Sequence, residues 1–237
     1  MFIRLKTPHP VNTGAGRGLG LGLVKELINR PKSSVGTVFA ATQSEPSAAL
    51  QQLVDSASGP LVVVRFDPGA NLHGSAGIDV LINNVGVMPY TPDGIAAIAH
   101  NVTRAFLPLL ERGAHKEVVG MGIMLGTLAL SPVFAPFPVL AYKITKAALH
   151  MLAMQWANEN AAKGFVFCVD CAGGEQWVKT DLGGDAADLT IEEAVLATLD
   201  VVDRLDKSSS GKLLNFLVQG WEKNLGMNQY DGRVLDW

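Results

Sequence analysis

Short apolar runs rich in β-branched residues alternate with stretches of helical periodicity from the first third of the chain to its end, and nothing else in the sequence constrains the fold as much. A parallel neighbour can be reached only through a crossover, so strand-helix alternation implies a parallel sheet with helices packed on it. The strand candidates are a weak one near Val11, then residues 37–41, 61–66, 79–83, 117–125, 165–169 and 212–218, about seven in all. Between them Leu19, Leu23, Leu27 and Ile28 share one helical face, and Ile95, Ile98, Val102, Phe106 and Leu109 share another. Thr190 with Glu193 three residues on is a capping box opening a helix through Leu199. The expected architecture is a doubly wound parallel α/β sheet in three layers, α/β/α.

One crossover is short. Residues 67–77, eleven positions including three glycines and Pro68, join two strands that should be parallel, whereas such a connection usually takes a dozen or more residues with a helix. That part of the sheet is expected to lack its covering helix, leaving apolar surface bare or buried in a partner.

At 237 residues the chain suits one α/β domain spanning residues 1–237. Its 17% charged residues and net charge of -3 give no electrostatic footprint for nucleic acid or an anionic membrane surface. The opening ten residues carry Arg4, Lys6 and His9 without the apolar run of a secretory signal, so a cytoplasmic address is expected. Residues 121–141 hold no charge, but Pro132, Pro136 and Pro138 are incompatible with a spanning helix. Cys168 and Cys171 match a redox spacing, yet they close an apolar strand instead of opening a helix. Ordinary buried or loop thiols are expected. The five histidines show no ligand spacing, and no metal site is expected.

Thr13-Gly14-Ala15-Gly16-Arg17-Gly18-Leu19-Gly20 follows the first strand and runs into the first helix. Glycines there permit a tight turn and a close approach to a pyrophosphate, while the helix start offers free N–H groups and partial positive charge. The turn therefore points to a Rossmann-type dinucleotide site. An acid at the end of the second strand would hold the ribose hydroxyls of NAD, but Ala40-Ala41-Thr42-Gln43 has none.

Together with Asn83-Asn84-Val85-Gly86 and Tyr142-Lys143-Ile144-Thr145-Lys146, this turn resembles the short-chain dehydrogenase/reductase family over nearly the whole chain, Val178-Lys179-Thr180-Asp181 included. Within the family it resembles most the branch containing fungal ketoreductases and sniffer-type carbonyl reductases. The resemblance implies that Gly14, Arg17, Gly18, Leu19, Gly20, Asp67, Asn83, Gly86, Val178 and Thr180 bind the cofactor with Tyr142 and Lys146. Arg17 stands as in members preferring NADP(H), and Asp67 at the position that meets the adenine. Tyr142 is then the proton donor to a carbonyl oxygen, and Lys146 its activator and a ribose ligand. Four residues apart, the two share a helical face over residues 142–159, and a nearby cation favours the phenolate.

The chain departs from the family after the fifth strand. In Val119-Gly120-Met121-Gly122-Ile123-Met124-Leu125-Gly126-Thr127, Gly122 and Ile123 stand where hydroxyls are expected, and Thr127 or Ser131 are the candidates to replace the missing serine. Loss of such a donor costs about 10²- to 10³-fold in rate. Asn101-Val102-Thr103 resembles the family's supporting asparagine motif but follows Gly86 early, and Glu175-Gln176 replaces the expected Pro-Gly.

The resemblance thus implies an NADP(H)-dependent reductase of a ketone or quinone on an apolar small molecule, with the apolar residues 128–137 lining the pocket and a homodimer as the expected assembly. The competing expectation is a member that has lost catalysis and serves as a ligand- or partner-binding protein or a non-redox cyclase.

Overall fold

The computed structural model describes residues 7–65, 77–84, 94–171, 178–181, 183–224 and 228–237. Eight strands follow the hydrogen-bonded order β3-β2-β1-β4-β5-β6-β7-β8, with ranges β1 Pro10–Thr13, β2 Val38–Thr42, β3 Leu61–Arg65, β4 Val80–Asn83, β5 Glu117–Gly122, β6 Val166–Cys171, β7 Leu213–Asn215 and β8 Val234–Leu235. The helices are α1 Gly18–Asn29, α2 Ala48–Ser56, α3 Gly94–Leu110, α4 Leu140–Asn160 and α5 Ile191–Arg204. This is the expected Rossmann-like sheet with flanking helices, in three α/β/α layers. The seven expected strands are present with shifted ends. β8 and α2 are additions.

Two compact units are distinguished, Met1–Val85 with Asn101–Val118, and Gly86–His100 with Val119–Trp237. In the first, β1 pairs in parallel with both β2 and β4, so the winding direction reverses beside β1, the position where open α/β sheets bind ligands. The apolar spacing read for α1 is its buried face, with Leu23, Val24, Leu27 and Ile28 all inside. Asp79 closes the entry to β4: Oδ2 accepts from the His9 amide at 2.9 Å and Oδ1 from the Ala114 amide at 2.6 Å. A carboxylate suits this work because the incoming amides have no strand partner of their own. β3 is only half-buried, with Val62 43% exposed; the short connection that follows it lies outside the described residues.

In the second unit β6 and β7 run parallel and β8 returns antiparallel on β7. Thr190 accepts from the Glu193 amide while the Glu193 carboxylate accepts from the Thr190 amide, the capping box read in the sequence. The strand expected over 117–125 stops at Gly122, and Met124–Gly126 forms a single 3-10 turn. Among the described residues no helix is long and apolar enough to cross a membrane.

Candidate active site

The glycine turn stands between β1 and α1, and its residues divide by physical role. Gly14 and Gly18 have φ of 68° and 52°, a left-handed conformation that costs glycine nothing. Gly20 is required for space: a Cβ there would lie 2.1 Å from Gly14 O and 2.5 Å from Asn84 Nδ2, whereas one at Gly16 meets nothing within 4 Å. Arg17 is the exposed N-cap of α1 and makes no side-chain cap, and Leu19 follows in the first turn.

Three of the turn's carbonyls are occupied by side chains from three elements. Asn84, just past β4, donates Nδ2 to Thr13 O at 3.1 Å; Ser47, the N-cap of α2, donates to Gly16 O at 2.6 Å; Asn12 of β1 donates to Gly20 O at 2.8 Å. Drawing carbonyl oxygens back and leaving the helix start without a side-chain cap is the arrangement an anion requires, because helix-start amides then supply the partial positive charge. These residues fit a dinucleotide pyrophosphate.

Asn84 belongs to the Asn83-Asn84-Val85-Gly86 motif, whereas Asn12 and Ser47 were not singled out from sequence, since each acts across the fold. Asn83 instead donates to Thr103 Oγ1 at 2.9 Å, so the threonine of the Asn101-Val102-Thr103 stretch supports the end of β4. Past β2, Thr42 donates to Ser44 O. The first acid beyond it, Glu45, is paired with Arg65 at 2.7 Å, so its charge is countered. Asp67 and Gly86 lie outside the described residues, as does the Glu175-Gln176 replacement. Val178 is buried and bridges to Leu189, and Thr180 Oγ1 accepts from the Gly183 amide.

In the second unit α4 carries Tyr142, Lys146 and His150 at successive turns. Lys146 is buried, donates Nζ to Met121 O at 2.7 Å, and holds Nζ 5.7 Å from the centre of the Tyr142 ring. Burial lowers its pKa to about 8. The phenol of Tyr142 is pushed above its ordinary range, first by burial and then by the Cys171 sulfur. Desolvation is the larger of the two causes, and both act in the same direction. The shift makes this phenol a weaker acid than an ordinary tyrosine.

His150 is 4% exposed, lies against the Gly126 backbone and has its ring 5.2 Å from that of Trp237. Burial, with the Lys146 charge, lowers its pKa to about 4. Ile123, where a hydroxyl was expected, is buried in the cluster of Met124, Leu125, Phe134 and Cys171 against which Tyr142 packs. Thr127 is buried and its Oγ1 accepts from the Leu130 amide at 3.2 Å, while Ser131 is exposed. The apolar stretch after Thr127 is tied down where Lys143 donates to Phe134 O at 2.5 Å. Leu130, Phe137, Val139 and Trp237 are half-buried around the same cluster.

Cys168 and Cys171 are free and buried, both inside β6. Three residues apart on a strand they face opposite sides, roughly 10 Å apart, beyond disulfide reach. Among the described residues no group of His, Cys, Asp or Glu is arranged to hold a metal ion.

No family model matches the chain. It is 31% identical to the C-signal of Myxococcus xanthus over 161 residues, 61% of this chain and 91% of that protein. It is 28% identical to the short-chain dehydrogenase srdF of Neurospora crassa over 237 residues, 86% of this chain and 92% of that one. An NADPH-bound carbonyl reductase from chicken fatty liver superposes with a TM-score of 0.76 at 24% identity, covering 99% of this chain and 96% of its own. With the Gly14–Gly20 turn beside the winding reversal and Tyr142 and Lys146 on one helix, these likenesses place the chain in the short-chain dehydrogenase/reductase superfamily of oxidoreductases.

Proposed function

We propose that the protein is an NADPH-dependent reductase of a ketone or quinone carried on an apolar small molecule. The observation that carries this reading is the placement of Tyr142 one helical turn before a buried lysine, with Lys146 Nζ 5.7 Å from the centre of the phenol ring. A neutral phenol can give a proton to a carbonyl oxygen, and an ammonium nearby stabilises the phenolate left behind. When bound, the cofactor supplies the hydride to the carbonyl carbon. The amides of residues 14–20 would hold its pyrophosphate and Arg17 its extra phosphate; by the family resemblance Lys146 would serve its ribose. The half-buried apolar Leu130, Phe137 and Val139, packed with Tyr142 on the same cluster, support an uncharged substrate.

The exposed row Leu140, Ile144 and Met151 along α4, from 59% to 71% exposed, supports a homodimer through that helix, which light scattering would reveal as a doubled mass. A second reading, binding without reduction, is favoured by the absence of a hydroxyl at Gly122 and Ile123. The two part on one experiment: NADPH consumption across aryl and alkyl ketones and quinones, with Tyr142→Phe as control. Turnover abolished by the substitution supports the reductase. NADPH binding with no turnover on any compound sinks it in favour of the binder.

A further inference from the structure

Asn12 is out of character for its position. The middle strands of a parallel sheet are covered on both faces and read as apolar, yet this fully buried side chain is an amide. Its Nδ2 donates to Gly20 O at 2.8 Å, while its Oδ1 has no hydrogen-bond partner. An orphaned buried oxygen is a net cost to folding, and a valine of similar bulk would avoid it. The gain lies in the one bond the amide makes. Gly20 is where the turn closes on itself, its Cβ position only 2.1 Å from Gly14 O. Ser47 and Asn84 hold the carbonyls on the other stretches of the same turn.

We infer that Asn12 is a positioning residue for the dinucleotide pyrophosphate: by holding the Gly20 carbonyl beneath the turn it fixes the amides at the start of α1 for the anion. The inference rests on the cofactor reading given above. It does not depend on whether the protein reduces anything.

The test uses the full chain with Asn12→Val, which removes the amide, and Asn12→Asp, which keeps the shape but cannot donate. Melting temperature is measured alongside binding of NADPH and of 2′-AMP, which lacks a pyrophosphate, by tryptophan fluorescence. Asn12→Val is expected to melt at or above the wild type and to bind NADPH on the order of ten-fold more weakly, about what one lost hydrogen bond to an organised loop implies. Its affinity for 2′-AMP should be unchanged. Asn12→Asp should lose at least as much NADPH affinity, since it also brings a carboxylate beneath the phosphates. Wild-type NADPH affinity in a folded Asn12→Val or Asn12→Asp overturns the inference alone, as does an equal loss for both ligands. A wild type that binds 2′-AMP and NADPH not at all overturns the cofactor reading with it.

Discussion

Gly122 on β5 and His150 on α4 are complementary in size: a Cβ at 122 would lie 3.0 Å from His150 Nε2 and 2.1 Å from Val169 Cγ1. The room that a side chain on β5 would take is filled from across the layer. Gly122→Ser is therefore expected to destabilise the protein by about 1–3 kcal/mol through overpacking and to leave turnover unimproved. Adding Val169→Ala should recover much of the lost melting temperature. A single Gly122→Ser that melts like the wild type contradicts this packing.

The proposed reduction should take its pH dependence from Lys146. Its ammonium, lowered by burial to about 8 against an ordinary 10.5, is charged below that value and neutral above it. Tyr142 is shifted the other way and stays protonated across the same range. Turnover with NADPH should hold level up to about pH 8 and decline beyond, and Lys146→Ala should remove that limb together with most of the activity. A decline that begins only near pH 10 would show that the lysine is not buried as described.

His150 makes the fold sensitive to acid. Its folded pKa of about 4 lies below the ordinary 6.5, so between those values the unfolded chain binds the extra proton and stability falls as pH falls. The full loss is about 3 kcal/mol, complete near pH 4. Replacing the ring with an uncharged one of similar size, His150→Phe, should flatten the melting temperature between pH 6.5 and 4. A wild-type slope retained in that variant would assign the acid sensitivity to other groups.

Two glycines of the same turn should respond oppositely to alanine. At Gly16 nothing lies within 4 Å of the added methyl, and φ is not positive; at Gly20 the methyl meets a backbone carbonyl at 2.1 Å. Gly16→Ala is expected to leave the melting temperature nearly unchanged. Gly20→Ala should cost roughly 1–3 kcal/mol and weaken NADPH binding. Calorimetry on both variants tests the pair, and equal effects would mean the turn is not shaped as described.

Strands and helices with a strong period were legible in the sequence because periodicity reports burial directly: the Leu23, Leu27 and Ile28 face of α1 and the Thr190–Glu193 box are local patterns. β8 was not legible because two residues, Val234 and Leu235, carry no period. α2 was missed because only Leu50 of its nine residues is buried. The early end of β5 at Gly122 was hidden for a different reason, since Ile123, Met124 and Leu125 are as apolar in a turn as in a strand. At the site, the glycines and the Tyr142–Lys146 spacing were readable as motifs. Asn12 and Ser47 were not, because what each holds is 8 and 31 positions away in the chain, and the Asn84 motif did not tell which carbonyl its amide would meet. His150 showed no ligand-like spacing, and its place beside Gly122 exists only in three dimensions.

The turn whose carbonyls are tied to Asn12, Ser47 and Asn84 also bears on how quickly a nucleotide can be captured. Its backbone surrenders its freedom when the chain folds, so little ordering is left to accompany docking. Stopped-flow mixing should accordingly give a single exponential whose rate climbs linearly with nucleotide concentration, free of the plateau that a loop rearranging before or after contact would impose.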